Sequence, residues 1–280
     1  MSSGPPSNGR GTTPQAVVMT MLGRYCLLTN PAMSTTGYIA VLARIGVTPQ
    51  ATRLTVSRMT ERGYLKRLRS GREAYFRASE VGLNIVRVQE QHMFEDPMKD
   101  SGNGAWTILS FSVPENRRGD RQLLRRRLSW EGFGLLRDGM WIAPGELDLE
   151  RVLDPELFEG VQDLVDGFTA YPKFGDVHRM ISRTWQLDQL RERYEQFLYD
   201  WDVPDPAPVA MDSLGRYLML VTAWRQLIRE TPRLPAEHLP ADWPAPRCHE
   251  LFRRLHEEYR VHARKLFDEI LADNRLPGDN

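Results

Sequence analysis

Residues 48–79 read TPQATRLTVSRMTERGYLKRLRSGREAYFRAS, and the punctuation of this stretch decides what the N-terminal part of the chain can be. Thr48 is a capping residue followed by Pro49, and proline suits a first helical position because its missing N–H would have no partner there. The helix that starts here stops at Gly63. Its side chains sort by period: Thr52, Thr55, Val56 and Met59 fall on one side. Gln50, Arg53 and Ser57 fall on the opposite side with Leu54 beside them, and Arg58 sits on the flank, free for a structural ion pair. Beyond Gly63, Leu65-to-Arg69 and Ala74-to-Ala78 are two short extended runs joined by the turn Ser70-Gly71-Arg72-Glu73. This hairpin carries Lys66, Arg67, Arg69, Arg72 and Arg77.

Upstream, Val17, Val18, Met21, Leu22, Tyr25 and Leu28 repeat at helical spacing over 14–28. A second helix opens at Ser34-Thr35-Thr36, turns Tyr38, Val41, Leu42 and Ile45 to one face, and closes at Gly46. A further helix follows the hairpin over roughly 79–94. Three helices and then a basic hairpin is the order of a winged helix-turn-helix. The short turn Gly46-Val47 sets the third helix across the second, so that one face packs and the other can enter a major groove. Arginine can fork onto guanine, glutamine can pair with adenine and leucine can meet a thymine methyl. The expected DNA contacts are therefore Thr48, Gln50, Arg53 and Ser57 from the helix. Lys66, Arg67, Arg69 and Arg72 from the hairpin would hold phosphates or reach a minor groove.

Charge points the same way. The net charge is zero, yet residues 1–145 carry 20 Lys and Arg against 11 Asp and Glu, and residues 146–280 carry 17 against 26. An excess of cations confined to the front half suggests that it meets a polyanion. No apolar run approaches the 18 or so residues of a membrane span, and MSSGPPSNGRGTTP is not a signal peptide, so a cytoplasmic location without membrane contact is expected. Cys26 and Cys248 are far apart and give neither a zinc framework nor a disulfide pattern.

After a disordered tail (1–13), the winged-helix domain is expected over 14–97, with MKDSGNG (98–104) as a linker. From 105 to 176 the order is AWTILSFSVPE as a strand, RGDRQLLRRRLSW as a helix, GLLRDGMWIAP as a strand pair, PELFEGVQDLVDG as a helix and FTAYPKF as a strand. That β-α-β-β-α-β order suggests a ferredoxin-like domain. A helical C-terminal domain fills 177–280, with helices at 179–201, 212–230 and 246–273. The fold class is α+β.

At this length of chain a resemblance is visible. TRLTVSRMTERGYL resembles the recognition-helix segment of the PaaX family, regulators of phenylacetic acid degradation. WTILSFSVPENRRGDRQLLRRRLSWEGFGLLRDGMWIAP is similar to the opening of that family's central domain, and RTWQLDQLRERYEQFL and LPAEHLPADWP resemble its C-terminal signatures. The chain departs from the family's usual residues at Thr231, where Asp is typical, and at Ala245, where Gly is typical. The resemblance implies a homodimeric repressor, and a dimer predicts a pseudo-palindromic double-stranded operator. It also implies a central domain shaped like the small CRISPR-associated ferredoxin-fold nuclease, and release from DNA by an aryl- or acyl-coenzyme A effector.

An aryl-coenzyme A thioester offers a π face and phosphates, so aromatic and arginine side chains within reach of each other are the expected effector contacts: Arg183, Trp185, Arg216, Trp224 and Arg225. The central helix gathers Arg117, Arg118, Arg121, Arg125, Arg126 and Arg127, which read as a solvated face, with auxiliary DNA or effector-phosphate contact as the other reading. The rival from another class is a nucleic-acid hydrolase on the central domain. Such an enzyme would need a carboxylate near the end of the first strand to hold Mg²⁺, and Leu109-Ser110-Phe111-Ser112 has none. His256 and His262 are six apart and so not on one helical face, and no cofactor-binding loop is present. No enzyme activity, cofactor or metal is expected.

Overall fold

The computed structural model describes residues 12–91, 93–95, 104–153, 164–173, 175–204, 211–230, 232 and 234–279. Residues 1–11 of the expected tail, the linker except Gly104, and most of the helix expected at 155–167 lie outside the described residues, as does Thr231. The chain divides into two compact units. One comprises Met1–Glu95, Phe197–Arg225 and Glu250–Asn280; the other comprises Asp96–Gln196 and Gln226–His249. The stretch expected to form one C-terminal helical domain thus contributes to both.

The first unit begins with helix α1 (Pro14–Met21), continued as a π-helical turn over Leu22–Cys26 rather than as a regular helix to 28. A two-residue strand β1 (Met33–Ser34), absent from the expectations above, precedes α2 (Thr35–Ala43). Then come α3 (Pro49–Glu61), β2 (Leu65–Ser70), β3 (Glu73–Ala78) and α4 (Glu80–Gln91). The strands form an antiparallel sheet in the order β1-β3-β2. The core is built from Val17, Val18 and Met21 of α1, Tyr38, Val41 and Leu42 of α2, Val56 and Met59 of α3, Leu65, Phe76 and Ala78 of the sheet, and Leu83 and Val86 of α4.

Two later helices complete this core, α9 (Ser213–Glu230) and α10 (Ala245–Asn274). Tyr25 stacks on Phe267 with ring centroids 4.2 Å apart, and Trp224 stacks on Phe252 at 4.7 Å. Both ends of α2 are fastened to them. At its start, Ser34 accepts from the Gly37 amide (3.2 Å) and donates to Asn274 Oδ1 (3.0 Å). At its end Arg44 pairs with Asp212, which also caps α9 by accepting from Gly215 N at 3.0 Å. Gly215 is required by this approach, because a Cβ there would lie 2.6 Å from the Arg44 carbonyl oxygen. The chain end closes the edge of β1: Leu276 N donates to Ala32 O (2.9 Å), and Asp279 accepts from Ala32 N (2.7 Å) and pairs with Arg77.

The second unit is a four-stranded antiparallel sheet in the order β5-β6-β4-β7, made of β4 (Trp106–Phe111), β5 (Gly134–Arg137), β6 (Met140–Pro144) and β7 (Val165–Ala170). Helix α5 (Arg118–Trp130) and the short α6 (Leu149–Val152) cover one face, packing Leu124, Leu128 and Val152 against Leu109, Phe111, Trp141 and Ala143. Val165–Ala170 being strand, the residues VDG expected to end a helix instead open β7.

On the other side of the sheet, Trp185 of α7 (Val177–Trp185) lies 6.0 Å from Trp106, ring to ring, and donates to Gly132 O at 3.2 Å. The helix expected over 179–201 is in fact two. Gln186 takes a left-handed conformation (φ 51°) and separates α7 from α8 (Leu187–Trp201). A non-glycine residue in that region carries no sequence flag, which is why the break was not legible.

Candidate nucleic-acid interface

The turn between α2 and α3 is built locally. Gly46 adopts φ 77°, its N–H reaches Ala43 O (3.0 Å) and Val47 N reaches Leu42 O (3.1 Å), so the last carbonyls of α2 are satisfied as the chain reverses. Thr48 then caps α3, accepting from Ala51 N at 3.3 Å. The far end closes in the same way: Gly63 (φ 75°) donates to Thr60 O and Tyr64 N to Met59 O at 2.8 Å, a Schellman arrangement. With both ends fixed, the helix has one rotational setting. Thr52, Val56 and Met59 are buried, and Gln50, Arg53, Leu54, Ser57 and Arg58 are exposed. Ser57 donates to Glu61 at 2.9 Å along that outer face.

The hairpin pairs Ser70 with Glu73 across a two-residue turn, with Gly71 in positive φ (59°) at the first position, as a type II′ turn requires. Lys66, Arg67, Arg69 and Arg72 are all exposed. Alternation along β2 puts Arg67 and Arg69 on one face and Lys66 on the other. These four cations, with Arg53 and Arg58, make no ion pair or side-chain hydrogen bond among the described residues. Arg58 on the helix flank therefore has no side-chain partner among the described residues, and Arg77 is not part of the open group, because Asp279 holds it.

The five residues expected to hold an effector are not gathered in one unit. Arg183 and Trp185 belong to the second, Arg216, Trp224 and Arg225 to the first. Trp224 is fully buried, stacked on Phe252, with its indole N–H donating to Met93 O at 2.9 Å. A ligand has no face of that ring to stack on, because Trp224 is part of the core. Arg225 donates to Thr20 Oγ1 (3.2 Å), and Arg216 to Met211 O (3.1 Å). Arg183 is exposed and Trp185 half-buried.

The two C-terminal signature segments do meet. Arg191 of RTWQLDQLRERYEQFL forks onto both carboxylate oxygens of Asp242 (2.9 and 3.2 Å) and lies over the Trp243 ring at 5.4 Å. Trp243 in turn packs edge-on to Tyr194 at 5.9 Å. Their sequence pattern thus records a structural joint. At the end of β4, Ser110 faces Asp166 across the ladder, and among the described residues no three His, Cys, Asp or Glu side chains gather as a metal site. Among the described residues no helix is long and apolar enough to cross a membrane.

Comparison with known proteins agrees along the chain. The family described as PaaX-like protein matches residues 13–82, the PaaX protein central Cas2-like domain matches 99–179, and the PaaX-like protein C-terminal domain matches 185–269. Among solved structures, Uncharacterized protein Rv0674 from Mycobacterium tuberculosis is similar at 27% identity and a TM-score of 0.60, the match covering 92% of this chain and 98% of that one. No curated protein matches. With three successive family domains spanning nearly all of it, the chain belongs to the PaaX family of regulators.

Proposed function

We propose that this regulator binds double-stranded DNA through a winged helix-turn-helix made of α2, α3 and the β2–β3 hairpin, and represses transcription in the cytoplasm as a homodimer on a pseudo-palindromic operator. One observation carries the reading. In the same unit Arg24, Arg44 and Arg77 are each paired with a carboxylate, whereas Arg53, Arg58, Lys66, Arg67, Arg69 and Arg72 stand exposed and unpaired among the described residues. Gln50, Arg53 and Ser57 of α3 would face base edges, Thr48 and the start of α3 a phosphate, and the hairpin the backbone beside the groove. The second unit is read as ferredoxin-like, since β5-β6-β4-β7 with every neighbour antiparallel is the sheet that a β-α-β-β-α-β chain makes.

Release by an aryl- or acyl-coenzyme A thioester belongs to the same proposal and rests on the family. Arg183 and Trp185 remain its candidate contacts, with Arg216 and Arg225 as candidates in the other unit. The fastening of α2 at both ends supports coupling of α9 and α10 to the reading helix.

The test is binding of the purified protein to fragments of its own genome, followed by footprinting of whatever is retained. The expected outcome is a site with two related half-sites about one or two helical turns apart. Arg53→Ala should weaken the cognate site by about 1–3 kcal/mol and relax its sequence preference. A protein that retains no fragment above background, or whose Arg53→Ala variant keeps both affinity and preference, overturns the reading.

A further inference from the structure

Helix α5 divides its arginines into two sets. Arg117 pairs with Asp120 (2.7 Å); Arg121 pairs with Glu115 (3.2 Å) and donates to Val113 O; Arg127 pairs with Glu131 (2.9 Å) and donates to Val152 O (3.2 Å). Each of these anchors the helix to a flanking segment, and together they occupy the local carboxylates Glu115, Asp120 and Glu131. The side chains of Arg118, Arg125 and Arg126 are exposed and make no hydrogen bond or ion pair among the described residues. They also share a face. At about 100° per residue Arg118, Gln122, Arg125 and Ser129 fall within about 60° of one another, with Arg126 beside them, while Leu124 and Leu128 point into the core. No carboxylate occupies that outer stripe. Arg118 and Arg125 are seven residues apart, about 10 Å of helix.

We infer that the outer face of α5 is a second, sequence-independent contact for the phosphates of duplex DNA, distinct from the reading helix and hairpin. This rests on the proposal that the chain binds DNA. Complementarity of charge selects the occupant: the stripe offers guanidinium forks and polar side chains with no neutralising acid among the described residues, which suits a row of phosphates. It offers no carboxylate to accept from a base edge and no apolar groove for a peptide.

The full-length chain with Arg118→Gln, Arg125→Gln and Arg126→Gln tests it against wild type. All three residues are exposed and tied to nothing among the described residues, so the fold is expected to survive, and the circular-dichroism spectrum checks that. Affinity should be measured against salt on an operator fragment with long flanks and on a scrambled fragment of equal length. The variant should bind both more weakly by the same factor. Its slope of log K against log salt should flatten by roughly 0.9 for each phosphate no longer neutralised, about two to three units. The preference for operator over scrambled DNA should not change. A folded variant with an unaltered slope overturns the inference while leaving the reading helix in place. A variant that keeps its DNA slope but no longer binds a coenzyme A thioester overturns it in favour of a small anionic ligand. A wild-type protein that binds neither fragment fails the DNA proposal itself, which is a different result.

Discussion

The exposed face of α3 with the hairpin and the core behind it use arginine in opposite ways. On α3 and the hairpin, Arg53, Arg58, Arg67, Arg69 and Arg72 reach into solvent with no partner among the described residues. Behind them Arg24 is largely covered, pairs with Glu90, donates to the Tyr217 hydroxyl at 3.0 Å and lies over Phe94. Arg225 and Arg216 are likewise engaged with Thr20 and Met211 O. Arginine content alone therefore does not separate a polyanion-binding surface from a scaffold. The inventory of partners does, because a guanidinium that has already given its donors to a carboxylate or carbonyl has few left for a phosphate. Substitutions in the two regions should fail differently, in stability for one and in DNA affinity for the other.

The largest effect is expected at Trp224. Its ring is fully buried against Phe252 and Phe197, and its N–H is used by Met93 O. Trp224→Ala should destabilise the protein by about 3–5 kcal/mol, because apolar burial disappears and a cavity is left between α9 and α10. Chemical denaturation followed by fluorescence or circular dichroism reads this directly. A variant with unchanged stability and only a changed ligand response would restore Trp224 to a binding role and break the contrast.

An intermediate effect is expected from pH. His256 sits 5% exposed among Tyr217, Phe94 and Phe252, with Arg24 and Arg260 as its cationic neighbours and Glu257 as its acidic one. Burial first, and then Arg24, hold its pKa down to about 4 from an ordinary 6.5. Between those values the unfolded chain binds a proton that the folded one refuses. Stability should therefore fall as pH drops from about 6.5 towards about 4, by about 1.4 kcal/mol for each unit separating the two pKa values, and this contribution should be flat outside that window. His256→Phe keeps a ring among rings and removes the titration. The difference between wild type and variant in urea midpoints across pH 4–7 should carry this slope. A difference that does not vary with pH would mean that the imidazole is hydrated in the native state.

How much of this was legible follows from where the information sits. Helix α3 and its flanks are written locally: Thr48-Pro49, Gly46 and Gly63 set caps and turns within four or five residues, and the period of Thr52, Val56 and Met59 sets the buried face. The succession of β4, α5, β5 and β6 in the second unit was likewise readable from local patterns. Other features depend on residues remote in sequence. β1 exists because Met33 and Ser34 pair with Phe76 and Tyr75, and its outer edge is closed by Arg275 and Asp279, some 240 residues away. Nothing in the pattern of aromatics distinguished Trp224, which the packing of α9 against α10 buries, from Trp185, which stays half-exposed. The partners of the arginines were invisible for the same reason.

The smallest effect on stability, and the sharpest test of the contrast, belongs to the hairpin. Arg69 and Arg72 are exposed, unpaired among the described residues and next to a turn whose geometry is fixed by Gly71. Removing their side chains deletes no hydrogen bond seen there, opens no cavity and leaves the β2–β3 ladder intact, so Arg69→Ala with Arg72→Ala should stay within about 0.5 kcal/mol of wild type in stability. If the hairpin holds the DNA backbone, the same pair should weaken every sequence alike. The slope of log K against log salt should flatten by roughly one unit for each phosphate left without its cation. Which sequence is preferred should not change, because a cation on a phosphate carries no base information. That signature differs from Arg53→Ala, which should change preference. It differs too from Trp224→Ala, whose weaker binding would track the smaller fraction of folded protein. A double variant as stable as wild type whose salt slope is unaltered would take the hairpin out of the interface, and the unpaired cations there would then serve solvation alone.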